Sequence, residues 1–276
     1  MKSRLLEGVK RWRVGILAPM SGVKPARVTR RRFGAIAGQA LAAAAFGSAC
    51  AAQTALGSTG RLRARPKPNV LTTATGTTKL LLGGTHDGVL MIPAAVPPTA
   101  PLPLVVLLHG AGGSGDRMLA RLGSAPSDAG VAVLAPDSRG STWDGIRGPF
   151  GADVEFLDRA LEHVFGSVNV DPARLAVAGF SDGATYALSL GLINGDLFRK
   201  IAAFSPGFVV DGPPSGKPRI FISHGTADQV LPIDTCSRRI VPGLRGRGYD
   251  VTFQEFGGGH ELPPAIATDA MKWLAG

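Results

Sequence analysis

A serine hydroxyl becomes a useful nucleophile only beside a general base, and that base works best when an acid orients it. Ser181 sits in Gly179-Phe180-Ser181-Asp182-Gly183, a Gly-x-Ser-x-Gly pattern that is weak by itself in a chain of 276 residues with 38 glycines. Its surroundings strengthen it. An apolar run ends at Ala178, and a helical stretch opens at Ala184, so the serine falls on a sharp strand-to-helix turn. Side chains at the two glycines would collide with the neighbouring strand or helix. The helix start would add partial positive charge where an oxyanion develops.

Five histidines could serve as base: His86, His109, His163, His224 and His260. Only His260 follows the last predicted strand, in Gly257-Gly258-Gly259-His260-Glu261, on a loop able to bring an imidazole over Ser181. The candidate acid is Asp228, in His224-Gly225-Thr226-Ala227-Asp228-Gln229-Val230-Leu231-Pro232 just past a buried strand. Ser181, Asp228 and His260 thus fall in the chain order of a nucleophile, orienting acid and base built on a strand-helix sheet. Their chemistry would be acyl transfer to water through an acyl-enzyme.

His109-Gly110-Ala111-Gly112-Gly113 follows another apolar strand, and its glycines free backbone N–H groups to face a reacting carbonyl oxygen. The oxyanion hole is assigned to the N–H of Asp182 and the N–H of Ala111, with Gly112 as the alternative to Ala111. Each such donor contributes roughly 2.7–4 kcal/mol when measured by removal. His109 and His224 read as structural, and His86 and His163 as surface residues. Trp143, in Asp137-Ser138-Arg139-Gly140-Ser141-Thr142-Trp143-Asp144, is the candidate wall of an acyl or alcohol pocket, with ordinary packing as the alternative. Phe208 would line the opposite side. No cluster of His and acids has zinc-ligand spacing, so no metal or organic cofactor is implied.

These residues need a scaffold that gathers their loops at one edge. Continuous apolar runs recur at 102–108, 131–134, 175–178, 201–204, 219–222 and 251–256. Such runs mark strands buried on both faces. A hairpin is predicted from Lys79–Leu82 and Gly88–Pro93. Helical stretches lie between, at about 115–123, 151–166, 182–194, 232–245 and 263–275. The alternation predicts a mostly parallel α/β sheet covered on both faces, with ligands at the carboxyl ends of the strands. Between Ala203 and Lys217 there is no room for a helical cap domain, so the cleft should be open.

Together, Leu107-Leu108-His109-Gly110, Gly179-Phe180-Ser181-Asp182-Gly183-Ala184, His224–Pro232 and Gly259-His260-Glu261 resemble the phospholipase/carboxylesterase and polyhydroxybutyrate-depolymerase-like esterases of the α/β-hydrolase superfamily. The resemblance covers about residues 79–276. It implies the α/β-hydrolase fold without a large cap and a serine esterase acting on small or lipid-like esters. A thioesterase or acyltransferase would use the same triad, exopeptidase activity is a further option, and an inactive surface binding protein is the alternative outside enzymology. One departure is Asp182, where the carboxylesterase branch commonly carries Gln.

The charge of +10 has a local origin. Residues 1–49 hold ten of the 30 Lys and Arg but one of the 20 acids, whereas residues 68–276 carry a net charge of −3. The folded part therefore offers no footprint for nucleic acid. Thr29-Arg30-Arg31-Arg32-Phe33 before the small apolar run Gly34–Ala49 resembles a bacterial twin-arginine export signal. Gly47-Ser48-Ala49-Cys50 is similar to a lipoprotein cleavage box that would make Cys50 the lipidated residue, with cleavage near Ala51 as the alternative. Met20 offers a second start that gives this leader a more usual length. Residues 50–78 read as a flexible linker, and 79–276 as the catalytic domain. The protein is expected outside the cytoplasm, its only membrane link an anchor at Cys50. Cys236, the other cysteine, reads as a structural thiol.

Overall fold

The computed structural model describes residues 59–276; the twin-arginine motif and Cys50 lie outside the described residues. One sheet of eight strands organises them: β1 (Gly76–Lys79), β2 (Gly88–Ile92), β3 (Leu102–Leu108), β4 (Ala132–Pro136), β5 (Val170–Phe180), β6 (Lys200–Phe204), β7 (Arg219–Gly225) and β8 (Val251–Phe256). Their order across the sheet is β1-β2-β4-β3-β5-β6-β7-β8. β2 pairs antiparallel with β1 and β4, and every pairing from β4 through β8 is parallel.

Side chains alternate between the faces of a strand, and β3 shows what that does here. Leu104, Val106 and Leu108 enter a core shared with helices α4 (Ala152–Ser167) and α5 (Asp182–Ile193). Val105 and Leu107 enter the opposite core, beneath α1 (Gly115–Arg121) and α7 (Pro264–Ala275). A strand buried on both faces must be apolar at every position, which is why β3 reads as an unbroken hydrophobic run. α6 (Ser237–Gly246) packs Val241 and Leu244 on the first face. Two four-residue helices, α2 (Ala125–Asp128) and α3 (Asp144–Arg147), are too short to leave a periodic signal.

The amino-terminal part departs from the expected flexible linker. Residues 59–75 lie as an ordered strap along the domain. Leu62 is buried, and its N–H donates to Asn194 Oδ1 at 2.8 Å. Arg61 donates to the Ile193 carbonyl at 2.7 Å and pairs with Asp196 at 2.8 Å. The N–H groups of Arg63 and Ala64 share Asp158 Oδ1. Arg61 and Arg65 of this segment are thus partners for Asp196 on the domain. The first strand also starts earlier, at Gly76, and Leu80–Leu82 form a connecting loop with Leu81 exposed. Asp87 closes that loop by accepting the N–H groups of Leu82 and Gly84. Among the described residues no helix is long and apolar enough to cross a membrane.

Candidate active site

β5 delivers Ser181 at the carboxyl edge of the sheet. The residue has φ 57° and ψ −121°, a left-handed conformation unusual for a side chain larger than glycine. Such a residue costs of order 1–3 kcal/mol and persists only when its surroundings hold it. Here its N–H donates to the Phe204 carbonyl at 2.9 Å, and its own carbonyl accepts the N–H groups of Ala184 and Thr185 at 2.9 and 3.0 Å. The flanking glycines are demanded by contact. A Cβ at Gly179 would stand 2.2 Å from the Gly183 carbonyl oxygen, and one at Gly183 would stand 2.3 Å from that of Leu108.

The loops after β7 and β8 bring the other two residues in. His260 Nε2 lies 2.8 Å from Ser181 Oγ, and His260 Nδ1 lies 2.7 Å from Asp228 Oδ2. Asp228 is buried, and its Oδ1 accepts the N–H groups of Val230 and Leu231 at 2.9 and 2.8 Å. Burial alone would push its carboxyl up, but the bonds from Leu231, His260 and Val230 outweigh it and hold the group below the usual carboxylate range. An ionised Asp228 fixes the proton of His260 on Nδ1, leaving Nε2 to accept the serine proton.

His224, read from the sequence as structural, is buried and touches the same carboxylate. Its Nε2 lies 2.7 Å from the Leu231 carbonyl and 3.2 Å from Asp228 Oδ2, while its Nδ1 lies 2.7 Å from Ser237 Oγ. Burial pushes its pKa down, so the ring is neutral and bridges Ser237 to the Asp228 loop.

The N–H of Gly112 donates to the Ser141 carbonyl at 2.7 Å, so it is committed to the loop. Among the described residues, no partner takes the N–H of Ala111 or of Asp182. The N–H groups of Ala111 and Asp182 are thus left open beside Ser181, whereas that of Gly112 is used within the loop. His109 is buried and structural: its Nε2 accepts the Ser138 N–H at 3.0 Å, and Nδ1 then donates to the Gly110 carbonyl at 2.7 Å. His86 and His163 are exposed, and Cys236 is a buried free thiol.

The expected specificity residues fare differently. Trp143 has no exposed surface and cannot wall a cleft. Its indole N–H donates to the His109 carbonyl at 2.8 Å, and its ring stacks on Tyr186 at 5.3 Å. It carries the 137–151 loop rather than a substrate. Phe208 is 47% exposed and lies outside the cleft over Ser181. That cleft, about 410 Å³, is lined instead by Ser181, His260, Phe180, Met118, Arg117, Arg121, Val230 and the His109–Ser114 loop. The α1 residues and Val230 gave no sequence signal beyond helical periodicity and a turn. A residue missed altogether is Ser205, at φ 53°, which extends β6 beside the elbow with its buried hydroxyl lacking a hydrogen-bond partner among the described residues.

Sheet order and the helices on both faces are those of the α/β-hydrolase fold, and Ser181, His260 and Asp228 are joined by hydrogen bonds at its carboxyl edge. No protein-family profile matches the chain. It is similar to esterase PE8, with a TM-score of 0.56 and 26% identity over 68% of this chain and 97% of that one. It is also similar to FphF, a fluorophosphonate-binding serine hydrolase of Staphylococcus aureus, with a TM-score of 0.58 and 16% identity over 74% of this chain and 100% of that one. In sequence it is 30% identical over 146 residues to the protein described as "Putative esterase NocK" of Nocardia uniformis subsp. tsuyamanensis. That match takes in 49% of this chain and 42% of the relative, less than half its length.

Proposed function

We propose that the protein is a serine esterase that hydrolyses carboxylic esters through an acyl-enzyme. The observation that carries this is the unbroken chain from Asp228 through His260 to Ser181, at 2.7 and 2.8 Å. Ser181 Oγ attacks the carbonyl carbon while His260 Nε2 takes its proton. The N–H groups of Ala111 and Asp182 face the oxygen as it gains charge. His260 returns the proton to the leaving alcohol, and water, activated by the same nitrogen, releases the acid. The test is labelling with a fluorophosphonate, with the adduct located by peptide mapping, together with turnover of p-nitrophenyl esters of increasing acyl length. Labelling of Ser181 with turnover of short esters supports the reading. An unlabelled Ser181 would favour a binding protein on a hydrolase scaffold.

We further propose that the enzyme acts outside the cytoplasm, exported through Arg30 and Arg31, with Cys50 as a lipid-anchor residue. The paired arginines ahead of a small apolar run, and the Gly-Ser-Ala-Cys sequence that ends it, support this. Replacing Arg30 and Arg31 by Lys should trap precursor in the cytoplasm; normal export of that variant would contradict it.

A further inference from the structure

We propose that Arg117 and Arg121 make the cleft selective for esters that carry an oxyanion, a carboxylate or a phosphate, on the part of the substrate lying along α1. This rests on the esterase reading above. The two arginines stand four residues apart on α1, so their side chains emerge from one face of the helix, a turn apart. Both are exposed, and both line the same 410 Å³ cleft as Ser181 and His260.

Their charge is answered only weakly by the protein: the Asp116 carboxylate feels the Arg117 charge without pairing with it. None of the residues lining that cleft is acidic. Among the described residues neither guanidinium forms an ion pair, whereas Arg61, Arg65, Arg139 and Arg174 all do. Asp116, beside them in sequence, is already engaged: its carboxylate accepts the Ser114 hydroxyl and the Arg117 N–H. Nor is the cleft positive because the whole domain is, since residues 59–276 carry a net charge of only +1. Positive lining concentrated at the nucleophile of a nearly neutral domain is what steers an anionic substrate to it.

The position of Arg121 is fixed by stacking rather than by an acid. Its guanidinium lies over the Phe180 ring at 5.1 Å, and that ring in turn meets the His260 imidazole at 4.8 Å. A stacked guanidinium keeps its in-plane N–H donors free, and two planar forks suit the oxygens of a carboxylate or phosphate. Met118 and Phe180 supply apolar contact between that anion and the ester.

The test uses the purified protein and matched ester pairs differing by one anionic group. On the acyl side, p-nitrophenyl hemiglutarate is compared with p-nitrophenyl pentanoate. On the alcohol side, 4-acetoxybenzoate and 4-acetoxyphenyl phosphate are each compared with methyl 4-acetoxybenzoate. At least one anionic ester should exceed its neutral partner in kcat/KM. That ratio should fall about tenfold in the double variant Arg117→Gln/Arg121→Gln, as expected for losing two partly exposed ion pairs. It should fall less in the double Lys variant, and in the native protein it should shrink as salt is raised. A ratio of one or less in every pair, or one that neither salt nor the Gln variant moves, overturns the proposal while leaving the esterase reading intact. Absence of turnover of every ester, neutral ones included, overturns both.

Discussion

Asp228 holds His260 from a fully hydrogen-bonded carboxylate: Oδ2 lies 2.7 Å from His260 Nδ1, while Oδ1 takes the backbone N–H groups of Val230 and Leu231. The two residues lie 32 positions apart, on loops after adjacent parallel strands β7 and β8. The loops are tied as well, since the Ala227 N–H donates to the Gly258 carbonyl at 2.9 Å. The acid is therefore placed by backbone, and the imidazole by the acid.

Asp228→Asn should keep the shape and lose the tautomer. A side-chain amide turned toward His260 no longer stabilises the proton on Nδ1, and a drop in kcat of about 10⁴ is expected. Esterase kinetics with near-native circular dichroism would show it; a loss under tenfold would deny Asp228 the orienting role.

Asp228 also sets an acid limit on stability. Its folded pKa lies below the ordinary 3.8, so the ionised group stabilises the fold above that value. That contribution is lost as the pH falls through the lower folded value. Unfolding free energies measured from neutral pH downward should decline less steeply near pH 3.8 in Asp228→Asn than in the native protein. Parallel curves would contradict the assignment.

Trp143→Phe should cost stability rather than selectivity. It removes the bond to the His109 carbonyl and part of the stack on Tyr186. Leaving that buried carbonyl unpaired costs about 1–3 kcal/mol. Thermal unfolding should shift down while the order of preference among acyl lengths stays the same. A changed order would return Trp143 to the substrate.

Asn194→Ala should release the strap at residues 59–65. Asn194 is buried, accepts the Leu62 N–H and donates to the Gly60 and Leu190 carbonyls. The loss should be about 1–3 kcal/mol for each buried group left without a partner. Limited proteolysis near Arg61–Arg65 should accelerate. Equal cleavage rates would show that the strap is held by its arginines alone.

The triad was legible because each member carries a local signature. Ser181 is framed by glycines that contact forbids to be anything else, Asp228 follows an apolar run that forms the buried strand β7, and His260 follows the half-polar edge strand β8, expected as buried but with only Val251 fully so. β8 spans 251–256 as its pattern predicts. What was not legible depends on partners distant in sequence. Arg61 and Leu62 look like linker residues until Asp196 and Asn194, more than 130 positions on, receive them. Trp143 in a polar loop gives the same signal whether it faces a cleft or a core. Only the bond to His109, 34 residues earlier, decides. Arg117 and Arg121 fall in a stretch whose pattern predicts only a helix, because nothing local shows that β5 ends beneath them.

The central claim is that Ser181 is the nucleophile, and kcat/KM of Ser181→Ala on a short p-nitrophenyl ester tests it most directly. The account predicts a fall of about 10⁴-fold or more, leaving only what the oxyanion donors and binding supply, with an unfolding temperature no lower than the native one. Turnover undiminished in that folded variant would contradict it.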